Sequence, residues 1–174
     1  VLENKKVAPS HFVLKLGSSR IGRHAQAGQF VQVLCADSMD PLLPRPFSFL
    51  TVTSKDISIL YHVVGKGTHI LSQAKKGDSL SILGPLGKGF GAGEASKNKR
   101  SGDKKFVLVG GGVGIPPLYH LVQDLLKKKV VRKNIHVFLG ARHKSLLLCE
   151  KEFKKLGIGL KVATDDGSKG PKGF

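Results

Sequence analysis

The chain has 174 residues, 40% of them hydrophobic, and its 29 Lys and Arg outnumber 12 Asp and Glu for a formal net charge of +17. That is apolar enough for a packed core and too apolar for a disordered chain, while no run approaches the ~18 consecutive apolar residues of a membrane-spanning helix and the start lacks a signal-peptide core. Two cysteines, Cys35 and Cys149, give neither a disulfide framework nor the ligand set of a zinc or iron–sulfur site, so the composition points to a soluble, globular, cytoplasmic protein.

In chain order, the first half reads as short strands. Residues 12–16, 29–34, 47–52 and 57–63 are rich in β-branched and aromatic side chains, several alternate, and Gly, Pro, Ser and Asp separate them. A short amphipathic piece, 68–74, precedes another strand, 79–83, which ends at Gly84-Pro85. Short strands at regular spacing predict a sandwich or a barrel, and a barrel removes edge strands from so small a unit. Residues 91–105 carry many Gly, Ser and Lys and read as a linker or surface loop. A different rhythm follows. Phe106-Val107-Leu108-Val109 resembles a buried parallel strand, and 115–129 places Leu118, Leu121, Val122, Leu125 and Leu126 on one helical face. Strand 135–139, helix 145–156 and strand 160–164 complete a β-α-β-α-β alternation, the mark of a parallel sheet. The expected organisation is β + α/β: an antiparallel β-barrel domain over 1–92, a linker over 93–104, and a parallel-sheet nucleotide-binding domain over 105–174. Val1 is not Met and the chain stops just after a strand and a turn, so the second domain is expected to be incomplete.

Glycine accounts for 22 residues, about twice the ~7% average, and the excess is clustered. Gly110-Gly111-Gly112-Val113-Gly114-Ile115-Pro116-Pro117 joins the first parallel strand to its helix. Ligands bind at that edge of such a sheet, and glycines there let backbone amides approach a diphosphate at the positive end of a helix. The spacing is not G-x-G-x-x-G, and the second strand ends Leu139-Gly140-Ala141-Arg142 with no acidic residue, which disfavours a common Rossmann dehydrogenase. Arg45-Pro46-Phe47-Ser48 enters a strand: an Arg for phosphate oxygens, a Pro that fixes the approach, an aromatic for a flat ring and a hydroxyl for a ring nitrogen. Gly65-Lys66-Gly67-Thr68 is a second place for phosphate, although Thr68 also reads as a helix cap. Gly84-Pro85-Leu86-Gly87-Lys88-Gly89-Phe90 reads alone as a string of turns. Thr164-Asp165-Asp166-Gly167-Ser168 follows the third parallel strand at the edge that carries the glycine turn; Asp-Gly is a turn signal, and the position favours a contact role. The His residues lack metal spacing, neither a G-x-S-x-G elbow nor a P-loop is present, and both cysteines read as small packing residues.

Together these motifs, in this order, resemble the ferredoxin reductase superfamily and, within it, the electron-transfer subunits of NAD-dependent dihydroorotate dehydrogenases. Arg45-Pro46-Phe47-Ser48 resembles the flavin motif. Leu60-Tyr61-His62 and Gly67-Thr68 resemble the second and third FAD contacts, with His62 where members more often carry Arg. The segment 84–90 resembles the G-P-L-G-x-G-F signature. The turn Gly111-Gly112-Val113-Gly114 and Thr164-Asp165-Asp166 resemble the nucleotide-side motifs. The resemblance implies that Arg45 and the amides near Gly67 and Thr68 hold the FAD diphosphate, that Phe47 and Ser48 face the isoalloxazine ring, and that the glycine turn receives NAD with its nicotinamide against the flavin. The cofactors would carry the hydride chemistry, so no catalytic acid, base or nucleophile is expected. It further implies an FMN-containing catalytic subunit as partner in a heterotetramer and electron flow through a [2Fe–2S] cluster. The reaction would oxidise dihydroorotate to orotate in pyrimidine biosynthesis. No cluster ligand is present in this chain, and no metal site is expected in it.

Two other readings are open. The same fold serves flavin reductase subunits of other complexes, such as those of a hydrogenase or a glutamate synthase, and cofactor motifs do not report the final acceptor. NAD over NADP also follows from the resemblance alone, since Arg142 suits a 2′-phosphate. The charge suggests a nucleic-acid binder: residues 1–92 carry a net +6 and residues 93–174 a net +11. Against it, aromatics are 6%, Trp is absent, and there is no RRM, KH or helix-turn-helix signature.

Overall fold

Two sheets organise the computed structural model, which describes residues 1–37, 39–91 and 104–173. The expected linker over 93–104 lies, apart from Lys104, outside the described residues. The chain divides into two units, Val1–Phe90 and Gly91–Phe174.

The first unit is a six-stranded antiparallel sheet of β1 (Glu3–Ala8), β2 (His11–Gly17), β3 (Phe30–Val33), β4 (Arg45–Val52), β5 (Asp56–His62) and β6 (Ile82–Leu86), in the order β1-β2-β5-β4-β3-β6. Alternation along these strands turns Leu14, Leu16, Val31, Val33, Phe49, Ile57 and Ile59 into one core. Each such side chain stabilises the fold by about 1.5–3 kcal/mol on full burial. The end strands are joined through a loop rather than a ladder, among the described residues: Gly77 N–H donates to the Val1 carbonyl and the Val1 ammonium to the Asp78 carbonyl. The segment expected as strand 79–83 instead pairs with β3 over Ile82–Leu86. Pro85 fits there because β6 has a neighbour on one side alone, where a missing N–H costs no ladder bond. Two helices connect strands: α1 (Ser19–His24) and α2 (Lys66–Ser72).

The second unit has the parallel order β7-β8-β9, with β7 (Phe106–Gly111), β8 (Ile135–Ala141) and β9 (Gly159–Thr164). Its crossovers contain α3 (Ile115–Lys127) and α4 (Glu150–Lys155). Ile115, Val122, Leu125, Ile135, Val137, Leu139 and Phe153 are buried, and Tyr119 meets Phe153 edge-on at 5.1 Å. The helix expected over 145–156 is shorter, because Cys149 sits in the left-handed region (φ 57°), a conformation that an α-helix cannot continue through. A 3₁₀ turn at Lys144–Leu146 takes up the preceding chain. No helix among the described residues is long and apolar enough to cross a membrane.

Candidate functional site

In the first unit the β3–β4 hairpin sets Val33 opposite Arg45 and Phe30 opposite Ser48. Arg45 Nη1 donates to the Leu43 carbonyl at 2.6 Å, which folds the guanidinium back over its own loop. Its Nε lies 3.5 Å from where a Cβ on Gly67 would stand, and Cys35 Cβ is 3.6 Å from the same point. Arg45, the first turn of α2 and Cys35 therefore converge. Burial pushes the Cys35 thiol up, and the Arg45 charge partly offsets this. A cavity of about 400 Å³ continues from Cys35 along Ile70, Leu71, Gln73 and the 78–80 segment.

The Thr68 hydroxyl is fully occupied in shaping the loop. It accepts from the Val64 and Gly65 amides at 3.0 and 3.2 Å and donates to the Gly65 carbonyl at 3.0 Å. The sequence reading of Thr68 as the N-cap is corrected: Gly65 is the N-cap, and Thr68 bonds back to it from the third helical position. The first backbone amides of α2 have no acceptor within the helix and stand at its partially positive end.

Phe47 meets Tyr61 edge-on at 5.7 Å, and Tyr61 stacks with Phe12 at 5.8 Å. Leu60 and Tyr61 are buried. The Tyr61 hydroxyl donates to Asn4 Oδ1 at 3.2 Å, and burial pushes its pKa up to about 12. The Tyr61 side chain thus belongs to the core that Phe47 packs against, while Leu60, next to it in the strand, is buried on the opposite face of the sheet. His62 stacks face to face on His11, with centroids 4.3 Å apart and planes 4° from parallel. Asn4 Nδ2 donates to the Leu71 and Ala74 carbonyls at 2.9 and 3.1 Å, tying β1 to the end of α2. Sequence reasoning missed Asn4, His11 and Cys35. Strand register reveals His11, opposite His62, while Asn4 and Cys35 are revealed by their contacts with α2.

In the second unit the glycine turn separates into two kinds of position. A Cβ on Gly110 would lie 2.5 Å from Leu118 Cδ1, and one on Gly111 would lie 3.1 Å from the Gly140 carbonyl oxygen. These two glycines serve packing of helix and strand. Gly112 (φ +52°) and Gly114 have nothing within 4 Å, and Val113 between them is exposed. The open part of the turn is Gly112-Val113-Gly114, directly before α3. Pro116 and Pro117 occupy first-turn positions where a missing amide costs no helix bond.

Thr164, Asp165 and Asp166 lie at the same strand edge. The Thr164 hydroxyl, 1% exposed, donates to the Lys169 carbonyl at 3.0 Å and accepts its amide at 2.9 Å. The amides of Asp165 and Asp166 extend the pairing toward Ala141 and Arg142. Asp166 accepts from both the Ser168 amide and hydroxyl at 2.9 and 2.7 Å, bonds that hold its carboxyl below the usual range. This motif folds largely onto itself and bonds to the end of β8, the strand that separates it from the glycine turn. No cluster of three or more potential metal ligands occurs among the described residues.

These features have counterparts in known proteins. Residues 108–163 match the model of the oxidoreductase NAD-binding domain family. The chain is 40% identical, over 99% of its length, to the dihydroorotate dehydrogenase B (NAD(+)) electron transfer subunit of Desulforamulus reducens, covering 63% of that protein. It is 41% identical, over 99% of its length, to the subunit of the same name from Geobacillus kaustophilus, covering 65% of it. The chain thus spans somewhat under two thirds of these relatives. Among solved structures, an NADH-dependent reduced ferredoxin–NADP oxidoreductase superposes with a TM-score of 0.81 at 31% identity, covering 99% of this chain and 58% of the other. Phthalate dioxygenase reductase, at 16% identity and a TM-score of 0.73 over 96% of this chain and 51% of its own, shares the fold. With both sheets and the motif order in agreement, the chain is similar over its whole length to dihydroorotate dehydrogenase B electron transfer subunits and shares the fold of the ferredoxin–NADP oxidoreductase.

Proposed function

We propose that this chain is an electron-transfer flavoprotein component that binds FAD through its first unit and NAD through its second, serving the oxidation of dihydroorotate to orotate. The reading rests above all on Arg45 standing against the first turn of α2. A guanidinium beside unsatisfied helix amides is the donor set that a diphosphate requires. Phe47, braced from below by Tyr61, offers an aromatic surface to a flat ring system, and Ser48 next to it offers a hydroxyl. In the second unit Gly112, Val113 and Gly114 offer amides at an open turn, with Asp165 and Asp166 on the same edge of the sheet across β8, for a pyridine nucleotide.

When bound, the flavin and the nicotinamide supply the redox chemistry. The protein binds, orients and neutralises charge, and no side-chain acid or base is assigned a proton. By kinship with the named relatives, the partner is an FMN-containing catalytic subunit, in a heterotetramer that also holds a [2Fe–2S] cluster. The two cysteines here are a buried thiol and a helix-start residue and do not form a four-ligand set, so no residue of this chain is assigned to the cluster.

The test is direct. Purified protein should take up FAD, release it on denaturation, and lose its flavin absorbance anaerobically on addition of NADH faster than with NADPH. Co-purification with a dihydroorotate-oxidising subunit, rather than one from another complex, should follow. A colourless protein that fails to retain added FAD would overturn the reading.

A further inference from the structure

The cations of the second unit are not spread evenly. Lys127, Lys128 and Lys129 close α3, Arg132 and Lys133 form the 3₁₀ turn that opens β8, and Lys154 and Lys155 close α4. All seven are exposed. In a β-α-β unit the helix C-termini and the strand starts share one edge of the sheet, opposite the edge that carries the glycine turn. The structure draws them together: Arg132 Nε donates to the Leu156 carbonyl at the end of α4 at 3.0 Å, and its Cδ lies 3.6 Å from the Cβ position of Gly157.

Part of this charge has local employment. Lys128 pairs with Asp124 at 2.7 Å and Lys154 with Glu150 at 2.7 Å, and cations in a last helical turn offset the helix dipole by about 0.3–1 kcal/mol each. Lys129 and Lys133 lie beyond the helix, and among the described residues Lys127, Lys129, Lys133 and Lys155 enter no ion pair. Glu152, three residues before Lys155 in α4, enters no ion pair among the described residues. Among the aliphatic and aromatic side chains of 127–133 and 154–158, Val131 alone is exposed. That is too little to insert into a bilayer, and it leaves no aromatic platform for stacking bases.

We infer that this lysine-rich end of the second unit is a docking surface for the phosphate backbone of a nucleic acid, read without sequence preference. Charge without stacking groups suits backbone contacts. Because the surface lies at the sheet edge opposite the nucleotide turn, occupancy of one leaves the other accessible. This inference stands independently of the flavin reading.

The test uses the whole chain and a labelled mixed-sequence DNA duplex as the backbone probe, followed by anisotropy across a salt series. One variant exchanges Lys127, Lys129, Lys133 and Lys155 for Gln; Lys128, Arg132 and Lys154 stay because they hold local structure. A control variant removes the same charge from the first unit, at Lys5, Lys6, Lys75 and Lys76. The wild type should bind at ~150 mM salt. The end variant should bind at least ~10-fold more weakly, with a log–log salt slope shallower by about 3–4, at ~0.9 for each phosphate no longer neutralised. The control should stay within about threefold of wild type. Equal losses in both variants would mean diffuse attraction by net charge and would overturn the proposal. So would absence of binding at ~150 mM salt, or stronger capture by phosphatidylglycerol vesicles than by the duplex.

Discussion

Arg45 Nε lies 3.5 Å from the point where a Cβ on Gly67 would stand, so the cation of β4 is held close to the first turn of α2. The guanidinium is meanwhile bonded to the Leu43 carbonyl, a neutral acceptor that a diphosphate oxygen outcompetes on charge. Arg45→Ala should therefore weaken FAD retention by about 1.5–3 kcal/mol, the worth of a charged hydrogen bond, or roughly 10- to 150-fold in Kd. Arg45→Lys should recover only part, since an ammonium lacks the fork. Fluorescence titration of apoprotein with FAD reads both. Unchanged affinity in Arg45→Ala would remove the diphosphate site from this place.

The glycine turn predicts two opposite phenotypes. Gly110→Ala brings a methyl to 2.5 Å from Leu118 Cδ1 and should cost about 1–3 kcal/mol in overpacking. Combination with Leu118→Ala should relieve the clash, so the pair should be less destabilised than the sum of the single changes. Gly114→Ala meets nothing within 4 Å and has an ordinary helical φ of −79°. It should leave the melting temperature nearly unchanged while raising the KM for NADH, because the methyl stands where a nucleotide would approach. A destabilised Gly114→Ala protein would show that the turn is packed rather than open.

The arrangement was legible in the sequence where a residue's role depends on its neighbours in the chain. Arg45-Pro46 does open β4, the strand Phe106-Val107-Leu108-Val109 does run into the glycine turn, and the apolar period of α3 does bury Val122 and Leu125. Strand β1 was not legible, since Glu-Asn-Lys-Lys-Val-Ala shows no alternation, and as an end strand paired only with β2 it buries little. Helix α4 was overread because nothing in Leu147-Leu148-Cys149 announces a left-handed Cys149. The G-P-L-G-K-G-F segment, which the sequence offers as a string of turns and a family signature, does structural work. Gly84 lets β6 approach Val31, whose Cγ1 would be 2.6 Å from a Cβ, and the Phe90 amide bonds the Ala27 carbonyl. Which of four glycines face a ligand and which face a neighbour depends on distances that a sequence does not carry.

Acid should act on the second unit in two windows. Burial holds the pKa of His120 below its usual 6.5, so the unfolded chain binds this proton more readily than the folded one. Stability should then fall as pH drops through 6.5 toward the lower folded value. Glu150 lies between Lys154 and Lys169 at 2.7 and 2.6 Å, and these bonds hold its carboxyl below the usual 4.5. Its contribution is complete above that value and fades only as pH falls further. Urea midpoints measured from pH 8 to pH 4 should show the first decline near neutrality, and His120→Leu should flatten it while leaving the second. A midpoint independent of pH between 7 and 5.5 would contradict the assignment.

Asn4 joins three elements through one amide. It receives the Tyr61 hydroxyl from β5 and donates to Leu71 and Ala74 at the end of α2. Asn4→Ala leaves a buried phenol and two carbonyls to find new partners, at a cost of about 1–3 kcal/mol. Because the same bonds hold the C-terminal end of α2 against β1, the change should also loosen the helix whose first turn faces Arg45. FAD affinity should therefore drop several-fold even though Asn4 touches no part of the proposed ligand. Tyr61→Phe separates the two effects. It removes the bond to Asn4 but keeps the ring under Phe47 and both bonds to α2, so it should lower stability by about 1 kcal/mol and leave FAD affinity close to that of the wild type. If the two variants lost affinity equally, α2 would be anchored by something other than Asn4.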